Sequence, residues 1–98
     1  MITEHALLPV KAGLEAEFEE AFASARRIIA AAPGFRDLTL SRGIESTSSY
    51  LLLVTWDSVE AHETRFRGSP GYQEWKRMLH HFYEPFPVVE HYRIVTSA

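Results

Sequence analysis

The stretch Tyr50-Leu51-Leu52-Leu53-Val54-Thr55-Trp56 decides how this chain folds. Its branched and aromatic side chains are typical of a β-strand. Because successive side chains of a strand point to opposite faces of a sheet, both faces of this strand are apolar. A strand with one wet face would alternate apolar and polar residues instead. The stretch therefore predicts a central strand in a sheet that is covered on both sides.

Three further segments have the pattern of strands. Residues 2–9 form a short apolar run that ends at a proline and a Lys-Ala-Gly turn. Residues 35–44 alternate along the chain, and the polar residues 45–49 join them to the central strand as an antiparallel hairpin. Residues 88–95 supply the fourth strand.

Helices are predicted between the strands. Apolar residues recur at helical spacing from Leu14 to Ile29, and Pro33-Gly34 stops this first helix. After the central strand, Asp57 or Ser58 caps a second helix, and Glu60 is placed to reach back to the cap. The predicted inner side of this helix carries Val59, His62, Glu63 and Phe66.

A third helix opens at Ser69-Pro70, where proline takes the favoured first position. The order of elements is strand, helix, strand, strand, helix pair, strand. With right-handed crossovers this order gives an α+β, ferredoxin-like βαββαβ fold, a four-stranded antiparallel sheet with helices on one face.

The helices can cover only one face of this sheet. Burying a Leu side chain contributes about 2 kcal/mol relative to leaving it exposed, so the apolar second face of residues 50–56 favours a partner. A second copy of the chain around a twofold axis is the simplest partner. We expect a homodimer joined through the sheet face; the alternative is a monomer with an unusually apolar central strand.

Composition excludes several classes of protein. The 98 residues predict a single domain, 1–98, since a second core could not be filled at this length. The chain has 10 Lys and Arg against 13 Asp and Glu with no basic run, which argues against nucleic acid. It has no cysteine for disulfides or thiol catalysis. No secretory signal pattern and no apolar run of about 20 residues is present, so we expect a cytoplasmic protein without a membrane partner.

His62 is the best single candidate for catalysis. It shares a helical side with Phe66 and is expected to face the sheet, where an imidazole could hold a substrate hydroxyl or accept its proton. The alternative is a packed histidine that is satisfied by a backbone carbonyl or by Glu63.

Other candidates are expected to bind substrate. His5 and His91 lie on outer strands and point either into the helix-covered cavity or towards the partner. Arg42 could orient a substrate oxygen, although an interface salt bridge is its more common role.

His80 and His81 diverge by about 100° on a helix and do not form a chelating pair, so no metal is expected. An aromatic set could wall a cavity for a flat ligand or simply form core: Trp56, Phe66, Tyr72, Trp75, Phe82 and Tyr83.

Several of these residues together resemble a known family. The run Trp56-Asp57-Ser58-x-Glu60-Ala61-His62, then Phe66, Ser69, Tyr72 and Trp75, then Val88-x-x-His91-Tyr92, resembles the antibiotic biosynthesis monooxygenase domain. The resemblance covers nearly the whole chain. It implies a dimeric α+β barrel and, for some members, oxidation of phenols or quinols without metal, flavin or other cofactor.

The resemblance leaves alternatives of other classes. Haem-degrading members carry an Asn, a Trp and a His where this chain has Glu4 or His5, Arg65 or Phe66, and Lys76. Their triad therefore does not carry over, although haem binding stays an alternative to test. The main hypothesis is a cofactor-independent monooxygenase of a small aromatic substrate. The main alternative is a non-catalytic or stress-associated dimer that binds a small hydrophobic ligand.

Overall fold

A computed structural model describes all residues, 1–98. The strands and helices, in chain order, are β1 (Ile2–Pro9), α1 (Glu15–Ala30), β2 (Phe35–Arg42), β3 (Ser49–Trp56), α2 (Pro70–Leu79) and β4 (Val89–Tyr92). A π-helical segment, Ala61–Phe66, precedes α2, and a short 3₁₀ turn, His80–Phe82, follows it. No helix is long and apolar enough to span a membrane.

The four strands form one antiparallel sheet in the order β2-β3-β1-β4. The central pair is in register from Ile2 opposite Trp56 to Pro9 opposite Ser49. This topology confirms the predicted ferredoxin-like fold. The outer strands are shorter than predicted, because β2 pairs with β3 only as far as Arg42 and β4 pairs with β1 only from Val89 to Tyr92.

One core of 17 buried hydrophobic residues lies between the sheet and the helices. Even-numbered residues of β1 and β3 point into it, among them Ala6, Leu52 and Val54. No element of the chain covers the other face, which we call the open face. Leu7 and Tyr92 there are 55% and 52% exposed, and Leu51 and Leu53 are half-buried. The apolar second face of the central strand is therefore present, as the sequence pattern indicates.

The segment after β3 departs from the predicted α-helix. Ser58 caps it as expected, since its Oγ accepts a hydrogen bond from the N–H of Ala61 at 3.1 Å. Glu60 does not reach back to the cap and instead pairs with Arg65, with 3.7 Å between Oε1 and the guanidinium. The π-helical turn buries His62 and Phe66, whereas Val59 and Glu63 are exposed, contrary to the predicted inner side.

Close packing fixes where this π-helical segment sits. Gly34 has φ of +86°, a left-handed conformation that favours glycine. A Cβ at this position would lie 2.6 Å from Cβ of Ala61, so the missing side chain also allows the close approach. The Gly34 carbonyl accepts a hydrogen bond from the Asp57 N–H at 2.8 Å. The turn before β2 thus holds the segment that carries His62.

Candidate functional site

A cavity of about 60 Å³ lies between the sheet, the π-helical segment and α2. Ten of its 15 lining residues are hydrophobic. Its polar groups come from β1, from the π-helical segment and the residue after it, and from the turn after α2: Glu4, His62, Arg67, His80 and Tyr83. An apolar pocket with a few convergent polar groups is the usual form of a small-molecule site.

Glu4 is the buried acid of this cavity. It occupies the core-facing register of β1 between Ile2 and Ala6 and is only 5% exposed. Its Oε1 accepts a hydrogen bond from Nε1 of Trp56 at 2.9 Å, and the same oxygen lies 3.3 Å from Nε2 of His62. The carboxyl group is therefore held by two neighbours at the cavity wall.

His62 connects this acid to the surface. The ring is 3% exposed and stacks on Trp56 with 5.3 Å between ring centroids. Its Nδ1 lies 2.9 Å from Nε2 of His91, and Nδ1 of His91 lies 3.8 Å from Oε1 of the exposed Glu63. These contacts place a row of polar groups between the buried Glu4 and the exposed Glu63, in which the His62–His91 contact is a hydrogen bond.

Burial sets the protonation of the inner pair. Burial, together with the smaller effects of the charges on Arg67 and His91, lowers the pKa of His62 to about 3. Burial also raises the pKa of Glu4, against the opposing effects of the Trp56 hydrogen bond and of Arg67. As the pH falls, Glu4 therefore binds a proton before His62 does. Because His62 is then neutral, the 3.3 Å contact between its Nε2 and Oε1 of Glu4 is not an ion pair.

The His62–His91 hydrogen bond has two possible directions, because a neutral imidazole carries one N–H and one acceptor nitrogen. When Nδ1 of His62 carries the proton, it donates to His91 and leaves Nε2 unprotonated on the side of Glu4. When Nε2 of His62 carries the proton, His91 donates to Nδ1 instead. A neutral imidazole in this position can therefore bind a proton at one nitrogen and release one at the other.

Aromatic rings build the remaining wall. Phe66 meets Tyr72 and Trp75 edge-on, with centroid distances of 5.5 and 6.0 Å. Phe86, which is 62% exposed, lies at the mouth against His80, with ring centroids 4.9 Å apart. A cavity that accepts benzene has a volume of about 150 Å³, so an aromatic ring enters this one only if the mouth opens.

The structure brings together some of the predicted site residues and separates others. His62, Phe66, Tyr72 and Trp75 line the cavity, and Trp56 and His91 lie directly behind His62. His5 does not reach it, because it lies on the open face against Tyr92, with ring centroids 5.3 Å apart. Arg42 is also elsewhere, bonded to the Thr47 carbonyl at 2.6 Å and to Glu19 at 3.3 Å.

Sequence reasoning missed three polar residues of the cavity, Glu4, Arg67 and His80, whereas Tyr83 lines it as the predicted aromatic set allows. A signal for Glu4 was available, since a carboxyl group at the same parity as Ile2, Ala6 and Leu8 is unusual on a buried strand face. His80 lines the cavity while His81 is exposed, so the two diverge as their spacing predicts. No group of three acidic, histidine or cysteine side chains is arranged to hold a metal ion.

The fold and the cavity define a ferredoxin-like α+β protein with an aromatic-walled pocket beneath its helices. The family model of the antibiotic biosynthesis monooxygenases matches residues 1–78. The chain belongs to this family, as the sequence resemblance predicts.

Individual relatives agree with this membership. The uncharacterized protein YczJ of Bacillus subtilis is 52% identical over 95 residues, which is 97% of this chain and all of that protein. A crystal structure from Bordetella bronchiseptica, assigned to the antibiotic biosynthesis monooxygenases, is 36% identical with a TM-score of 0.93 and 97% of each chain covered. SnoaB of Streptomyces nogalater, a cofactor-independent oxygenase, shares the fold: its TM-score is 0.84 at 24% identity, with 98% of this chain and 94% of that chain covered.

Proposed function

We propose that this protein is a cofactor-independent monooxygenase that oxidises a small phenol or quinol in the cavity between sheet and helices. The observation that carries the proposal is the buried Glu4–His62 pair on the wall of an aromatic-lined pocket. Family membership supports the reaction class, and SnoaB supplies a fold relative with this type of activity.

The chemistry needs a group that removes a proton from the substrate hydroxyl. Loss of this proton makes the ring electron-rich enough to reduce dioxygen. For a phenol, one oxygen atom of O₂ becomes the second carbonyl oxygen of the quinone and the other leaves as water. The phenol supplies all four electrons and both hydrogens of the water, so no further reductant is required.

Glu4 and His62 divide the acid–base work. With a pKa of about 3, His62 alone is a weak base at neutral pH. Burial strengthens the Glu4 carboxylate as a base, so we assign the proton acceptance to Glu4. His62 then acts as the carrier that passes the proton to His91, whose Nδ1 lies 3.8 Å from Oε1 of the exposed Glu63. This refines the role predicted for His62.

The apolar surroundings favour the same reaction. The aromatic side chains of the wall, Phe66, Tyr72 and Trp75, would exclude water from the substrate ring. Their faces and edges can pack against a flat substrate. The exposed Phe86 at the mouth is the side chain that must move when the substrate enters. The cavity of about 60 Å³ would have to open far more widely for a haem macrocycle than for a single aromatic ring, which disfavours the haem alternative.

We propose that the working unit is a homodimer joined through the open face. Leu7, Leu51, Leu53 and Tyr92 supply an apolar surface there that no element of the chain covers. The proposed single domain, 1–98, would then contribute one sheet to an α+β barrel with its partner. The absence of cysteine is consistent with a cytoplasmic location.

Oxygen uptake with a panel of naphthols and quinols tests the activity. Glu4→Gln keeps the size of the side chain and its Trp56 contact but removes the base, and we expect the rate to fall about 100-fold, the usual contribution of a general base. His62→Ala is expected to be similarly impaired, whereas the exposed His81→Ala is the matched control and keeps the wild-type rate.

Two outcomes would contradict the proposal. Uptake by the wild type that does not exceed uptake by His62→Ala would remove the catalytic role. Tight binding of these compounds without any uptake would favour the non-catalytic ligand-binding protein instead.

A further inference from the structure

Arg67 is placed in the cavity by the π-helical turn. Its backbone N–H donates to the carbonyl of His62, five residues earlier, at 3.1 Å. This wide turn brings residue 67 round to the side of His62 and Phe66, so that its side chain lines the same cavity. An α-helical turn closes at four residues and would point residue 67 elsewhere.

The Arg67 side chain has no partner within the protein. Its Nε is the one buried side-chain nitrogen or oxygen atom of the chain that lacks a hydrogen bond. Arg67 takes part in none of the six ion pairs. A buried polar group without a partner is costly, so each one in a native protein calls for an explanation, and a ligand that supplies the missing acceptor is one.

The neighbouring acid does not serve as its counter-ion. Glu4 lines the same cavity, yet its Oε1 is engaged by Trp56 and His62, and no Glu4 oxygen lies within ion-pair distance of the guanidinium. Arg67 acts on Glu4 only through its charge, which lowers the pKa of that carboxyl against the larger effect of burial. A ligand oxygen would therefore find a free donor beside an acid–base group.

We propose that Arg67 recognises an acidic oxygen of the substrate, so that the cavity selects aromatic compounds bearing a carboxylate over their neutral analogues. This inference rests on the proposed function, because it names the substrate class of the same pocket. A guanidinium offers a planar pair of donors that matches the two oxygens of a carboxylate. The cavity of about 60 Å³ beside it has room for such a group, with the attached ring directed to Phe86.

Calorimetric titration with salicylate and with salicylamide tests this selectivity without any oxygen chemistry. The two probes have the same ring and hydroxyl group and differ in the charge of one substituent. We expect salicylate to bind the wild type at least about tenfold more tightly than salicylamide, a difference of about 1.4 kcal/mol. Arg67→Gln is expected to abolish this preference, and Arg67→Lys to retain only part of it.

The matched control is Arg65→Gln, which removes an arginine of the same segment whose side chain is largely exposed and paired with Glu60. It should keep the wild-type preference, and a thermal melt of each variant verifies that it is folded. Equal binding of the two probes, no binding of salicylate, or an unchanged preference in Arg67→Gln would each overturn the proposal. Salicylate selectivity in a protein that takes up no oxygen would sustain it while refuting the monooxygenase.

Discussion

Glu4 and His5 are neighbours in the chain, yet they belong to opposite faces of β1 and to different environments. Glu4 points beneath the helices, where burial raises its pKa and where Trp56 and His62 hold it. His5 points to the open face and packs against the exposed Tyr92. Because side chains alternate along a strand, adjacent residues of β1 thus belong to the cavity wall on one face and to the uncovered apolar surface on the other.

The same division runs through β3. Leu52 lies in the core and lines the cavity, whereas Leu53 lies half-buried on the open face. The chain's own helices bury the helix-covered face, whereas the open face is apolar and no element of the chain covers it. Substitutions on each face can therefore separate its contribution to stability from its contribution to assembly.

Truncation of Leu52 is expected to have the largest effect on stability. Leu52→Ala leaves a cavity in the core and should lower the free energy of unfolding by about 2–5 kcal/mol. Because the loss is internal to one chain, it should not depend on protein concentration. Urea denaturation at two protein concentrations measures this. A loss below 1 kcal/mol would show that the core face is not the main source of stability.

Acid should destabilise the protein through His62. Its pKa is about 3 in the folded state against 6.5 for the free side chain, so below pH 6.5 the unfolded chain binds a proton that the folded chain does not. This contribution should lower the stability by about 2 kcal/mol between pH 7 and pH 5. The raised pKa of Glu4 acts in the opposite direction, because the folded state then binds the proton more readily.

Comparison of variants separates these two effects. His62→Gln should flatten the loss of stability between pH 7 and pH 5, whereas the exposed His81→Gln keeps the wild-type slope. Denaturation curves at each pH give the difference. A wild-type slope in His62→Gln would mean that the buried imidazole does not govern the acid response.

Charge on the open face should affect assembly and leave the core intact. Leu53→Lys places an ammonium group in the proposed dimer interface and should raise the dimer dissociation constant at least about tenfold, or about 1.4 kcal/mol. Ser24→Lys adds the same charge to an exposed position of α1 and serves as the control. Sedimentation velocity over a range of protein concentrations measures the dimer dissociation constant of each variant. If the wild type sediments as a monomer at all concentrations, the open face is not a self-association surface.

The sequence predicted the fold well because its signals are local. The Pro33-Gly34 stop, the Ser69-Pro70 start and the alternation of residues 50–56 each depend on few neighbours. The ends of the outer strands were predicted too long for a different reason. Ile44 and Ile94 are apolar, but no partner strand extends to either of them, so both are exposed.

The site was only partly predictable because it depends on one irregular turn. His62 and Phe66 share a side in an α-helix as well as in a π-helix, so their inward orientation could be inferred. Arg67 joins them only when the turn closes at five residues, and six residues are too few for a period to show in the sequence. The pairing of β4 with β1 places His91 opposite Glu4. The sequence around either residue does not predict this long-range pairing.

The contact between Gly34 and Ala61 links the start of the hairpin to the cluster of Glu4, His62 and His91. Position 34 is far from the cavity in sequence, but any side chain there would press on the residue next to His62. The turn at Gly34 packs against Ala61 and so fixes the position of the His62 imidazole relative to Glu4 and His91. A substitution at Gly34 would therefore shift His62 relative to Glu4 and His91, although every residue that lines the cavity would be unchanged.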